Sequence, residues 1–173
     1  MEIRLHIYHD PKFCTFCGGE LRSAVEGLSF CLDCGRPAYQ DPKLAAACIV
    51  SHEDSIILVK RAIEPHIGKW SFPSGYVNRG EDVAEAAVRE VVEETFVVAR
   101  INWLVGLYSE VGRAVVLAVY DATQVGGTIG AGDETSDARM FNVGDLPGLA
   151  FEHDRQILKD WRVERDRRGL VSL

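Results

Sequence analysis

Three glutamates, Glu90, Glu93 and Glu94, stand in one short stretch, and four cysteines stand in another as CTFC and CLDC. Each group has the chemistry of a metal site, and the two call for different metals. Projected at about 100° per residue, residues 82–95 place the three carboxylates within one arc of about 100°. Ala84, Ala87, Val88, Val91, Val92 and Thr95 fall on the opposite side, which is expected to dock on the sheet while the carboxylates face the preceding loop; only Val83 and Ala86 share the acidic face. Residues 81–94 carry six acids against the single base Arg89, so five of the seven net negative charges of the chain lie here. A solvated helix face would interleave lysine or arginine at i+4. Carboxylates concentrated in this way repel one another until a cation joins them, and a hard divalent ion such as Mg²⁺ or Mn²⁺ suits oxygen ligands.

The cysteines Cys14, Cys17, Cys31 and Cys34 follow the spacing C-x2-C-x13-C-x2-C, with Gly18 and Gly35 after the two pairs. A glycine there suits a tight knuckle that turns backbone N–H groups toward thiolates, and a short hairpin between the pairs would gather all four around one tetrahedral Zn²⁺. So few residues bury no useful core, so the ion would supply most of the folding free energy of this zinc ribbon. The alternative is two disulfides in a secreted module. Cys48 stands apart and reads as a core residue.

The elements that position these groups follow from patterning. The ribbon and the segment before it occupy residues 1–40, GRPAYQDP is a connector, and an α/β body fills 41–173. LAAACIVS (44–51) and SIILVK (55–60) flank a polar turn and predict a β-hairpin of buried strands. Asp82 and Glu85 form a capping box, which predicts a helix over Val83 to Thr95. INWLVGLYSE and RAVVLAVYD predict a second hairpin with a two-residue turn, VG. The glycine-rich TQVGGTIGAGDET is expected to be a flexible loop, ARMFNV a short strand, and 152–167 a closing helix.

Composition bounds the rest. With 173 residues, 47% hydrophobic and 26% charged, the chain suits one main core with a small attachment. A net charge of −7 and a pI near 5.2 make nucleic acid an unlikely partner. No apolar run reaches the ~20 residues that span a bilayer, and MEIRLHIYHDPK lacks the apolar core of a secretory leader, so the expected compartment is the cytoplasm.

GYVNRGEDVAEAAVREVVEETFV (75–97) resembles the box of the Nudix hydrolases, G-x5-E-x7-R-E-U-x-E-E-x-G-U, where U is a bulky aliphatic residue. Gly75, Glu81, Arg89, Glu90, Val91, Glu93, Glu94 and Val97 match; Phe96 stands where the family has glycine. That position follows the helix and favours positive φ, which phenylalanine adopts at a cost of about 1–2 kcal/mol. The resemblance implies a mixed sheet sandwiched between helices and hydrolysis of a nucleoside diphosphate linked to another group. It carries metal ligation to Glu90, Glu93, Glu94 and the Gly75 carbonyl, with Glu81 in support and Arg89 orienting the glutamates. A general base is still required, and Glu134, in a loop able to swing over the site, is the candidate.

A four-cysteine ribbon joined through YQDPK to such a domain is similar to a subgroup with two branches. The NADH pyrophosphatase branch carries SQPWPFPxS after the box, whereas the corresponding region here reads GLYSEVGRAVVLAVY. DPK, KRAIEPHIGKW and PSGY resemble instead the branch acting on ADP-ribose or FAD. Arg61, Tyr76, Tyr108 and Phe141 are candidate substrate contacts, the aromatics as stacking platforms. His52, His66 and His153 stand alone and receive no role. Two alternatives remain: a nucleotide-sensing binding module, against which the intact glutamates count, and an NADH or NAD-capped RNA hydrolase, against which the missing motif counts. A homodimer involving the ribbon is compatible with the sequence.

Overall fold

In the computed structural model, which describes residues 11–23 and 28–170, the chain divides into two compact units, Met1–Pro42 and Lys43–Leu173. The first ten residues, read above for a leader, and 24–27 of the expected ribbon hairpin lie outside the described residues. In the N-terminal unit β1 (Leu21–Ser23), β2 (Ser29–Cys31) and β3 (Pro37–Ala38) form an antiparallel sheet in that order. Part of the expected connector is therefore a strand, because Pro37 and Ala38 pair with Phe30 and Ser29. Gly18 and Gly35 close the two knuckles at φ 77° and 69°.

In the second unit the strands are β4 (Lys43–His52), β5 (Ser55–Arg61), β6 (Trp70–Ser71), β7 (Ser74–Tyr76), β8 (Val97–Ser109), β9 (Val115–Gly127) and β10 (Thr135–Asn142). Helix α1 (Val83–Thr95) precedes β8, and α2 (Asp154–Arg167) closes the described chain. The mixed sheet runs β10-β5-β4-β9-β8, with β6 on β5 and β7 on β4. Strand β4 is apolar from Leu44 to Val50 because both of its faces are covered. Ala46, Cys48 and Val50 join Ala87 and Val91 of α1 in one cluster, and Ala47 and Ile49 join Ile157, Leu158 and Trp161 of α2 in the other. This is the helix–sheet–helix sandwich that the resemblance implied.

Three local expectations change. The predicted first hairpin pairs only at its turn, Ser51 with Ile56 and His52 with Ser55; beyond it β4 pairs β7 and runs parallel to β9. The second hairpin turns through residues 110–114, not through two residues. Residues 123–127 of the expected loop continue β9, and the rest is tied down: Gly130 and Gly132 donate to the Thr95 and Glu94 carbonyls at 3.0 and 3.1 Å. A Cβ on Gly132 would overlap the Glu93 carbonyl, so the glycine content serves close approach to the end of α1. Helix α2 begins at Asp154, two residues later than expected, and the Asp154 carboxylate accepts the Phe151 N–H at 3.0 Å, tying the preceding turn to its first residue.

Phe96 takes the left-handed conformation expected of the box glycine, φ 57° and ψ 15°, and is 54% exposed. Phe96→Gly should therefore stabilise the protein by about 1 kcal/mol, the left-handed penalty less the ring's contact with Gly130. Chemical denaturation of the two proteins checks this, and an unchanged or lower stability in the glycine variant would show that ring packing outweighs backbone strain.

Candidate active site

The turn between β7 and α1 is built around Arg89. Its Nε and Nη2 donate to Glu81 Oε1 and Oε2 at 2.7 and 3.0 Å, and Nη1 reaches Glu90 Oε1 at 2.6 Å and Glu93 Oε2 at 3.0 Å. Nη2 also donates to the Tyr76 carbonyl at 3.1 Å, fixing the loop to the helix. Asp82 starts that helix by accepting from Ala84 and Glu85 N–H at 2.8 and 3.2 Å. The helix departs from the expected face only at its margins: Ala86 is buried and Val92 is 39% exposed. The inward stripe runs through Ala86, Glu90 and Glu94, at i+4 spacing. The carboxylates face the preceding loop, as expected: Glu90 stands over Gly75, where a Cβ would overlap its carboxylate, and Glu94 Oε2 lies 2.9 Å from the Ser74 N–H.

The carboxylates divide by electrostatics. The Arg89 fork and the Asn78 N–H hold Glu81 at about 2, so it is the fixed counter-ion of Arg89. Burial raises Glu90 despite Arg89, and burial with repulsion from Glu90 and Glu134 raises Glu94 to about 7, against Ser74 N–H and Arg61. Two half-buried to buried acids with raised values are what a divalent cation would stabilise.

Of the other expected site residues, Glu134 lies beside this group, since its charge acts on both Glu90 and Glu94. It does not sit on a swinging loop: its carbonyl accepts Ala62 N–H at 3.0 Å, and β10 begins at the next residue. Arg61 ends β5, and its charge reaches Glu94. Tyr76 is 52% exposed at the end of β7 with Lys43 Nζ 5.0 Å from its ring centre. Tyr108 and Phe141 are not brought to the glutamates. Both pack in the α2-side cluster, where the Tyr108 hydroxyl donates to Asp160 at 3.1 Å and Phe141 meets Trp70 edge-on at 4.7 Å. Sequence reading missed Ser74, which holds Glu94 through the backbone and so leaves no side-chain signal.

The NUDIX domain family matches residues 41–161, the span that contains this loop and helix. The chain belongs to the NUDIX family. An ADP-ribose pyrophosphatase of Methanocaldococcus jannaschii is 37% identical over 127 residues, covering 71% of this chain and 75% of that protein. A crystal structure of a Nudix hydrolase from Nitrosomonas europaea superposes with a TM-score of 0.82 at 30% identity, covering 94% of this chain and 96% of that one. The NAD-capped RNA hydrolase NudC of Pseudomonas putida is 29% identical over 142 residues, and this chain spans 51% of its length.

As a Nudix hydrolase the chain belongs to a metal-dependent group, and its loop–helix supplies oxygen donors of the required kind. With the cation chelated, Glu94 titrates at about 7 in the folded chain against an ordinary 4.5. The folded state then holds more protons across that window. Stability from neutral Glu94 is fully present below 4.5 and is lost as pH rises through 7. The melting temperature in chelator should fall by about 3–6 °C from about pH 5 to about pH 8, and Glu94→Gln should remove most of that fall. Equal slopes in the two proteins would assign the effect to another group.

In the N-terminal unit the ligand atoms of Cys14, Cys17, Cys31 and Cys34 all lie within 4.8 Å of one another, a convergence that the Glu90, Glu93 and Glu94 carboxylates do not reach. Sγ separations of 3.8 Å for Cys14–Cys34 and 3.4 Å for Cys17–Cys31 leave all four thiols free. A tetrahedral ion with Zn–S bonds of about 2.3 Å requires sulfurs about 3.8 Å apart, so the cluster is compatible with a zinc ribbon. The N–H groups of Cys17 and Phe16 draw Cys14 down to about 7, and those of Cys34 and Asp33 draw Cys31 down. Cys17, against the Gly19 N–H, is pushed up to about 12 by the neighbouring sulfurs of Cys31 and Cys34, so without a cation the cluster does not hold all its thiolates together. Cys48 is fully buried in β4, where burial pushes its thiol up to about 12. No helix among the described residues is long and apolar enough to cross a membrane.

Proposed function

We propose that this protein hydrolyses the pyrophosphate of a nucleoside diphosphate linked to another group, with ADP-ribose or FAD as substrate and AMP as a product. The observation that supports this reading is the arrangement of the box residues, with Glu90 and Glu94 inward over Gly75 and Ser74 and Arg89 clamped by Glu81. The named activity of the 37% identical relative points to the same substrate class. Glu90, Glu93, Glu94 and the Gly75 carbonyl would hold Mg²⁺ or Mn²⁺, with Glu81 supporting from behind Arg89. Such an ion, when bound, acidifies water and offsets the charge of the pyrophosphate.

Within that scheme Arg89 orients Glu90 and Glu93, and Glu134 accepts the proton of the attacking water. Arg61 contacts a phosphate, and exposed Tyr76 offers a stacking face. Tyr108 leaves the substrate set because its hydroxyl is engaged by Asp160 of α2, and Phe141 because it packs edge-on against Trp70. The ribbon of residues 1–40 holds a structural Zn²⁺, residues 41–173 form the hydrolase domain, and free thiols suit a reducing cytoplasm. A homodimer is the assembly to test by sedimentation.

The test is AMP release from ADP-ribose, FAD, NADH and NAD-capped RNA, each with Mg²⁺ and with Mn²⁺. Turnover led by ADP-ribose or FAD supports the proposal. Turnover led by NADH or capped RNA moves the protein to the other branch, and no turnover on any of them favours a nucleotide sensor.

A further inference from the structure

His66, Phe151 and His153, which sequence reading left without a role, form one ring cluster with Arg61. Phe151 meets His66 edge-on, with ring centres 5.2 Å apart and planes at 88°, and lies parallel to His153 at 5.3 Å and 5°. The Arg61 guanidinium carbon stands 5.4 Å from the Phe151 ring centre. Phe151, His153 and Arg61 are each held from behind. Asp154, which is 1% exposed, accepts the Phe151 N–H, and Ala150 donates to the Trp70 carbonyl at 2.8 Å. His153 Nδ1 lies 3.1 Å from Glu110 Oε1, and Arg61 Nε donates to the Pro65 carbonyl at 2.7 Å.

The cluster is not part of the core. Phe151 belongs to neither apolar cluster; Phe151 and His153 are half-buried and His66 is exposed. Arg61 ties it to the glutamates, because its charge acts on Asp154 behind the rings and on Glu94 in the box. Ala62, the residue after Arg61, donates to the Glu134 carbonyl. The rings therefore border the place where the pyrophosphate must lie. Two rings near a right angle form a corner in which a flat heterocycle can stack on one and meet the other with its edge. A neighbouring guanidinium adds attraction for the π face.

We propose that His66, Phe151 and His153 form the subsite for the heterocyclic base of the substrate, with Arg61 at the junction between base and pyrophosphate. This rests on the pyrophosphatase reading and names the residues that set its base preference. His66 has φ 68°, which asparagine tolerates, so His66→Asn removes the ring without straining the turn. It should raise KM for ADP-ribose about five- to thirtyfold while leaving kcat within about threefold. Phe151→Leu should do the same with an unchanged melting temperature, and Phe151→Tyr should retain the parent KM.

Histidine ring-proton NMR gives a readout independent of turnover. AMP should move the His66 and His153 signals of the parent protein upfield, and ribose 5-phosphate should not; spectra of His66→Asn and His153→Gln assign them. Unmoved signals with AMP and an unchanged KM in His66→Asn would overturn the subsite even in an active enzyme. Equal shifts with ribose 5-phosphate would also overturn it, since the cluster would then be sensing phosphate. If no pyrophosphate substrate is turned over, the activity reading fails, while the AMP titration still decides the subsite.

Discussion

Replacing Glu94 with glutamine should lower kcat by roughly two to four orders of magnitude at saturating Mn²⁺, on the order of 3–5 kcal/mol of transition-state stabilisation. The fold should survive. Glu94 is 7% exposed, glutamine keeps its volume, and the amide oxygen can still accept the Ser74 N–H that Glu94 Oε2 accepts at 2.9 Å. What disappears is a negative charge already under strain, since burial and the nearby Glu90 and Glu134 push its carboxyl up to about 7. A cation loses a ligand and gains no replacement. Glu85→Gln is the matched control: it lies on the same helix, exposed, where Asp82 caps its backbone N–H at 3.2 Å. Its loss should cost about 1 kcal/mol of stability or less and leave kcat nearly intact. A Glu94→Gln enzyme within threefold of the parent would remove the acidic helix face from the mechanism.

The parts of this architecture legible in the sequence are those fixed by local chemistry. Helix α1 begins and ends where Asp82 and Phe96 predict, because a side-chain cap and a left-handed residue act within a few residues of themselves. The knuckle glycines are equally local. The helical wheel erred only at its margins, placing Val92 on the sheet side and Ala86 with the acids, because an ideal projection carries no information on how closely the neighbouring backbone approaches the helix. The glutamates face the preceding loop as expected, over backbone that has no obstructing side chain, at Gly75 and at the Ser74 N–H. Parallel pairing of β4 with β9 joins residues about seventy apart and leaves no mark on either strand alone. The same separation hid the ring cluster, whose histidines come from different loops, and made Tyr108 and Phe141 look like free platforms when Asp160 of α2 engages the one and Trp70 packs against the other.

Cys31→Ser should release about one Zn²⁺ per chain and unfold the N-terminal unit while sparing the hydrolase unit. Three strands of three, three and two residues give that unit its only described sheet, and its large apolar side chains point outward: Phe13 and Phe16 are 64% and 65% exposed. Burial on that scale cannot offset the entropy of ordering the chain, whereas a structural zinc site contributes about 10–16 kcal/mol in comparable peptides. Cys31 is the most demanding ligand to lose. It is 3% exposed, its Sγ lies 3.4 Å from that of Cys17, and it accepts the Cys34 N–H at 3.5 Å, so serine would leave a weaker ligand in a geometry set for sulfur. The unit Lys43–Leu173 has its own core on both faces of its sheet and should keep its protected amides. Elemental analysis with hydrogen exchange on parent and variant measures both halves of the expectation. Parent protein purified without chelator that contains no zinc and has oxidised thiols would defeat the ribbon assignment, because disulfides would then be what holds the knuckles together.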